Sequence, residues 1–252
     1  MEVHHHSHTA DPDIHRGRKK WAHYFWEFLM LFLAVFCGFL AEYQLEHRIE
    51  KDKERQYIKS FVEDLAADTT ILNSRISFCA LTIRVADSLI LLLNRPQKNK
   101  MPGDIYYFFR FIHRHNPFTV NDRTIVQLRN AGGMRLISHK NVSDSMISYY
   151  KDIELLYYLD ERQLEMKKNI EPYFGKLLYA EDFAKVVDED NRLVRSADTL
   201  RLKPVGEEML NDIKIILDMI KGFNQGIKRR FVLLKERAKL LRNFIHEEYK
   251  FE

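Results

Sequence analysis

A chain of 252 residues with 40 basic and 36 acidic side chains carries a net charge of +4, which leaves room for one core-forming domain and no electrostatic case for nucleic acid. Two cysteines exclude a disulfide scaffold, and nine glycines leave little for phosphate-cradling loops or nucleophile elbows.

Residues 1–20, MEVHHHSHTADPDIHRGRKK, are polar, His-rich and without apolar periodicity, so they predict a disordered cytoplasmic tail. His4, His5, His6, His8 and His15 lack cysteines or acids at ligand spacing, and neither a metal nor any other cofactor is expected. Trp21–Tyr43 follows, 23 residues with no charge between Phe28 and Ala41. About 20 apolar residues cross a bilayer as helix. Trp21, Tyr24 and Trp26 at one end and Tyr43 at the other suit the headgroup layers. A cleaved leader fits poorly, because Phe36 precedes Cys37 and the Gly38–Ala41 stretch has no pair of small residues at cleavage spacing. Arg16, Arg18, Lys19 and Lys20 crowd the N-terminal edge without an acid among them. They predict a single-pass inner (cytoplasmic) membrane protein with its N-terminus in the cytoplasm and residues 44–252 in the periplasm. Ala34, Cys37, Gly38 and Ala41 form a small-residue stripe where a second helix could pack in the membrane, or which faces lipid. Glu27 is placed at the inner interface, reaching water.

No Pro or Gly interrupts residues 44–95. Ile58, Val62, Leu65, Thr69, Leu72, Ile76, Cys79, Ile83, Ala86, Ile90 and Leu93 alternate at spacings of four and three, a heptad seam on a helix over 44–94 that Pro96 ends. The same spacing returns in Leu210, Ile213, Leu217, Ile220, Asn224, Ile227, Phe231, Leu234, Ala238, Leu241 and Ile245, on a helix over 207–250. Two matched seams far apart in one chain predict antiparallel packing in an elongated bundle. The acids read as parts of mixed-charge, solvated faces.

Between the seams, residues 104–139 read as an insert: a buried aromatic helix from Asp104 to His113, then a helix opened by Asp122 and closed by Gly132-Gly133. A helix from Ser143 to about Asn169 has Met146, Tyr150, Ile153, Tyr157 and Leu164 on its expected inner face. Another runs from Tyr173 to about Phe183, and 186–205 is a loop with a brief extended piece at Arg192–Arg195. Tyr149, Tyr150, Tyr157 and Tyr158 are candidates to line a ligand pocket, against the plainer reading of core rings with polar tips. His113 and His115 fall on different faces, one packed and one solvated. None of H-E-x-x-H, G-x-G-x-x-G, a Walker loop, C-x-x-C or G-x-S-x-G occurs.

At Arg123–Tyr150, the positions Thr124, Leu128, Gly132, Leu136, Ile137, Ile147 and Tyr149-Tyr150 resemble a pattern in a bacterial domain-of-unknown-function group with one N-terminal membrane helix. The resemblance implies a membrane-anchored, helical extracytoplasmic domain, and it implies no reaction or ligand. The chain is therefore expected to be all-α and non-enzymatic: a single-pass helix continuous with an antiparallel bundle, acting as a scaffold that meets the lipid bilayer and either itself or another membrane or periplasmic protein. The alternative is a membrane-tethered sensor that binds a ligand near the tyrosines and signals through its anchor.

Overall fold

The chain is all-α in a computed structural model that describes residues 14–96 and 101–251, with side chains from Trp21 onward. The long helix α1 runs unbroken from Ile14 to Leu93. Residues 14–20, expected to be disordered, are thus helical. Extending an existing helix orders one residue per added hydrogen bond, and no proline lies between Pro12 and Pro96 to stop it. Residues 1–13, with His4, His5, His6 and His8, lie outside the described residues.

The chain divides into two units, Met1–Lys53 and Glu54–Glu252. In the first, every side chain from Trp21 to Lys53 is exposed except the half-exposed Leu29. Phe28, Phe32 and Phe36 stack along one side of the helix, with ring centroids 6.3 and 5.9 Å apart. By length and composition this stretch is apolar enough to cross a membrane.

The second unit is built on α1 from Glu54 onward, α4 (Lys140–Lys168) and α7 (Glu207–Tyr249). Three contacts fix the direction of α7 against α1. Tyr249 donates to Glu54, Lys221 pairs with Asp87 and Lys214 donates to Asn94, so the two helices run antiparallel, as the matched seams predict. Helix α4 runs along α1, since Tyr149 meets Asp68 and Gln163 meets Cys79.

All eleven predicted seam positions of α7 are buried. On α1, Ile58, Leu65, Leu72, Cys79, Ala86 and Leu93 are buried and the alternate positions Val62, Thr69, Ile76, Ile83 and Ile90 are half-buried. A third line at spacing seven is buried as well: Glu54, Phe61, Asp68, Arg75, Thr82 and Leu89. It arises because α1 packs against α4 and the insert as well as α7, so it must cover a wider arc than one seam. The reading of these acids as solvated is overturned.

Helix α4 starts at Lys140 after His139, not at Ser143. Its buried positions are Val142, Met146, Tyr149, Ile153, Leu156, Asp160, Gln163 and Lys167. Of the expected inner face, Met146 and Ile153 hold, while Tyr150, Tyr157 and Leu164 are only half-buried. Met146 and Ile153 keep their place while the neighbouring line moves back by one residue, from Tyr150 and Tyr157 to Tyr149 and Leu156, so the face as a whole turns by roughly 50°. Counting apolar residues rotated the stripe, because its last three members are polar.

The insert supplies α2 (Pro102–His113) and α3 (Arg123–Asn130), followed by a 3-10 turn at Gly133–Leu136. Asp122 stands at the N-cap of α3 without a capping hydrogen bond, and Gly132 takes the left-handed turn beyond its end at φ 63°. The helix expected over 173–183 is two, α5 (Glu171–Leu177) and α6 (Ala180–Ala184). Between them Leu178 is extended and bridges Leu202, and the Tyr179 N–H donates to the Tyr106 hydroxyl at 2.6 Å. The extended piece near Arg192–Arg195 is real but short, with Leu193 bridging Val187.

The apolar interior of this unit is two cores. One joins α1 from Ile58 to Cys79, α3, α4 as far as Leu156 and α7 from Ile227 to Ile245. The other joins α1 from Val85, α2, α5 and α7 from Leu210 to Ile220. The insert is thus shared between them.

Candidate functional site

Where the two cores meet, α1, α4 and α7 each turn a polar side chain inward at a seam position. Gln163, Lys167, Asn224 and Arg75 are each 1% exposed. Helical spacing explains the convergence. Arg75 and Thr82 continue the heptad line of Asp68, Asp160-Gln163-Lys167 continues the alternation of α4, and Asn224 is the polar position of the α7 seam.

One Arg75 terminal nitrogen donates to Asp160 Oδ1 at 2.5 Å and to Gln163 Oε1 at 3.1 Å. Gln163 Nε2 donates to Asn224 Oδ1 at 2.7 Å, and Asn224 Nδ2 donates to the Ile220 carbonyl at 2.8 Å. The second Asp160 oxygen accepts the Phe118 N–H at 3.0 Å and lies 3.2 Å from His115 Nε2. Lys167 Nζ donates to the Arg114 carbonyl at 2.6 Å and stands 4.8 Å from the centre of the Phe78 ring. The guanidinium of Arg75 is 5.2 Å from the centre of the Phe231 ring. Arg75 Nε and Nη1 and His115 Nδ1 have no protein partner.

The charges do not balance, because two buried cations share one carboxylate. Burial alone pushes Asp160 up, but the His115 and Phe118 hydrogen bonds and the Arg75 charge outweigh it and hold the carboxyl below its usual range. Burial, reinforced by Arg75, lowers Lys167 to about 8. Burial pushes the Cys79 thiol up, so it sits as a packed, unreactive group.

A second polar set lies along α1. Asp68 accepts from the Asn121 N–H at 2.9 Å and the Tyr149 hydroxyl at 2.8 Å. Asp64 accepts the Thr124 N–H at 3.2 Å, while Arg123 stands 3.6 Å from its other oxygen, beyond hydrogen-bond reach. Burial raises Asp68 to about 6. Glu54 accepts from the Ser138 N–H at 2.6 Å, the Ser138 hydroxyl at 2.8 Å and Tyr249 at 2.5 Å. These carboxylates of α1 cap the backbone of the insert, fixing the irregular 117–139 stretch to the first long helix. No family model, curated protein or solved structure matches the chain. The resemblance at Arg123–Tyr150 gains no support from these comparisons.

The four tyrosines meet different partners. Tyr149 is buried on Asp68, and Tyr157 accepts the Val120 N–H at 3.4 Å. Tyr150 lines a shallow cavity of about 170 Å³ with Ile125, Met134 and Ile147, and Tyr158 is exposed. Ala34, Cys37, Gly38 and Ala41 all lie exposed on α1 in the first unit. His115 is packed on Asp160 and His113 is about half-exposed beside Glu171, at 3.4 Å.

The sequence reading passed over Arg75, Asp160, Gln163 and Lys167. Their signal was present, since each falls where an apolar periodicity would place its next member. Chemically the layer is suited to holding helices in one register, because sliding α1 by a turn separates Arg75 from Asp160, sliding α7 separates Gln163 from Asn224, and sliding α4 separates both. Such buried pairs add little net stability, but they penalise alternatives that leave a charge unpaired. Its members are shut from solvent, and no three His, Cys, Asp or Glu converge as a metal ligand set among the described residues.

Proposed function

We propose that this protein is a non-enzymatic, membrane-anchored helical scaffold. The observation that carries the reading is the exposed apolar length of α1. From Trp21 to Leu45 its large apolar side chains, including Phe28, Phe32, Phe36 and Phe39, meet no cover from the chain. A soluble protein rarely exposes a contiguous apolar patch beyond a few hundred Å², whereas a bilayer covers such a helix with about 20 apolar residues. The basic cluster at 16–20 favours an N-terminus on the cytoplasmic side of the inner membrane, with the bundle on the far side.

The scaffold half of the reading rests on how the bundle spends its polar residues. They lock helices together and tie down the insert instead of opening a reactive cleft. The sensor alternative draws on less, since the Tyr149 and Tyr157 hydroxyls are engaged by Asp68 and the Val120 N–H and Tyr158 is exposed. Extraction of membranes with alkaline carbonate tests the anchor. The full chain stays in the pellet, and a Phe32→Arg, Phe36→Arg double variant moves to the supernatant. A wild-type chain released by carbonate overturns the reading.

A further inference from the structure

Helix α7 has two apolar faces. The seam covers one, and on the opposite side Ile215, Met219, Gly222, Gly226, Leu233 and Leu240 fall on the positions of a second heptad line, about 37 Å long. Ile215, Met219, Leu233 and Leu240 are exposed, the last two at 69% each. Nothing inside the chain requires the two glycines, because a Cβ at Gly222 or Gly226 would meet no atom within 4 Å. Glycine weakens a helix interior, and a Gly-x-x-x-Gly step on an outer face suits the close approach of another helix. Beside it runs a groove of about 650 Å³ lined by Ile83, Val232 and Leu233, with Lys228 and Arg229 at its edge.

We propose that this outer face docks an amphipathic helix of another protein, one whose apolar stripe is flanked by acidic residues. Charge decides the occupant. Lys228, Arg229 and Arg230 make no ion pair among the described residues, and Lys235 and Arg242 extend the basic stretch, while Arg237 is taken up by Asp152 and Lys239 by Glu236. A second copy side by side in the same membrane would run parallel and set Arg229 against its own counterpart, a repulsive arrangement. A helix with Glu or Asp beside its apolar stripe instead meets the uncompensated Lys228, Arg229 and Arg230, with Lys235 and Arg242 further along. The inference rests on the anchored reading only in excluding an antiparallel copy, which the surface charges by themselves permit.

The test uses the full chain in detergent micelles and a labelled peptide of about 28 residues, four heptads with Leu at the apolar positions and Glu at the flanks. A second peptide has Lys in place of Glu. The Glu peptide binds saturably, weakens with added salt, and loses about tenfold or more in affinity to a Leu233→Asp chain that keeps its helical circular dichroism. Equal binding of the Lys peptide, or no loss with Leu233→Asp, overturns the proposal. So does a chain-to-chain disulfide formed by Leu233→Cys, in a Cys37→Ala background reconstituted in vesicles, because it makes the occupant a second copy. Failure of the anchor reading shows separately, as release of the chain from membranes by carbonate.

Discussion

Among the described residues Asp160 is the only carboxylate paired with Arg75, and removing it tests the polar layer most sharply. In an Asp160→Leu chain, Arg75 and Lys167, each 1% exposed, lose the anion that offsets them, and the Phe118 N–H and His115 lose their acceptor. Leaving a buried charge unpaired costs about 3–5 kcal/mol. The reverse change, Arg75→Met, is milder, since Asp160 keeps the Phe118 and His115 hydrogen bonds and Lys167 is freed of a like charge. A loss of about 1–3 kcal/mol is expected for it. The double change removes the pair together and costs less than the two single losses added, a coupling of at least ~1 kcal/mol. Trp21 and Trp26 lie in the first unit, so unfolding of the bundle is followed by far-ultraviolet circular dichroism on the full chain in micelles. At about 2–4 °C per kcal/mol for a domain of this size, Asp160→Leu lowers Tm by roughly 6–20 °C. Equal losses for the two single variants, or strict additivity, would refute the reasoning.

Asp68 gives a pH signature. Its folded pKa of about 6 lies above the ordinary carboxylate value of 3.8, so its contribution is most favourable below about pH 4 and is lost as pH rises through 6. The span amounts to roughly 3 kcal/mol, and Asp68→Asn flattens the fall in Tm between pH 4 and pH 7.5 relative to wild type; parallel curves would count against the assignment. Lys167 works in the opposite direction, its lowered pKa of about 8 withdrawing stability as pH falls through that value, so Lys167→Met raises Tm more at pH 7 than at pH 9.5. Gly222→Ala and Gly226→Ala each stabilise the isolated chain by about 1 kcal/mol, since neither added methyl meets a neighbour, and thermal melts check both. Gly132→Ala does the reverse by about 1 kcal/mol, as φ 63° is strained for any residue with a Cβ.

Much of the architecture was legible because heptad periodicity is a strong signal where one narrow seam of a helix carries its burial. Helix α7 behaves that way although it meets both α1 and α4, and all of its expected positions are buried. Helix α1 carries the insert as well, so a single seam described only part of its buried arc, left Glu54 and Asp68 among the acids taken as solvated and passed over Arg75. On α4 the alternation passes through Asp160, Gln163 and Lys167, and an apolar count turned its face toward Tyr150 and Tyr157. The candidate site was therefore hidden by composition while its spacing lay in plain view. Extending each alternation through charged residues would have recovered it. The break at Leu178–Tyr179 had no such signal, since the bond from Tyr179 to the Tyr106 hydroxyl joins residues 73 positions apart.

The account depends most on Trp21–Tyr43 crossing a bilayer with the bundle on the side opposite the N-terminus. Cysteines introduced one at a time at Ser7 and at the exposed Ser74, in a Cys37→Ala background whose remaining Cys79 is buried, report this directly in membrane vesicles of known sidedness treated with an impermeant maleimide. With the cytoplasmic face inside, the account predicts labelling of Ser74→Cys in intact vesicles and of Ser7→Cys only after detergent. Labelling of both positions before detergent, or of Ser7→Cys alone, would contradict it.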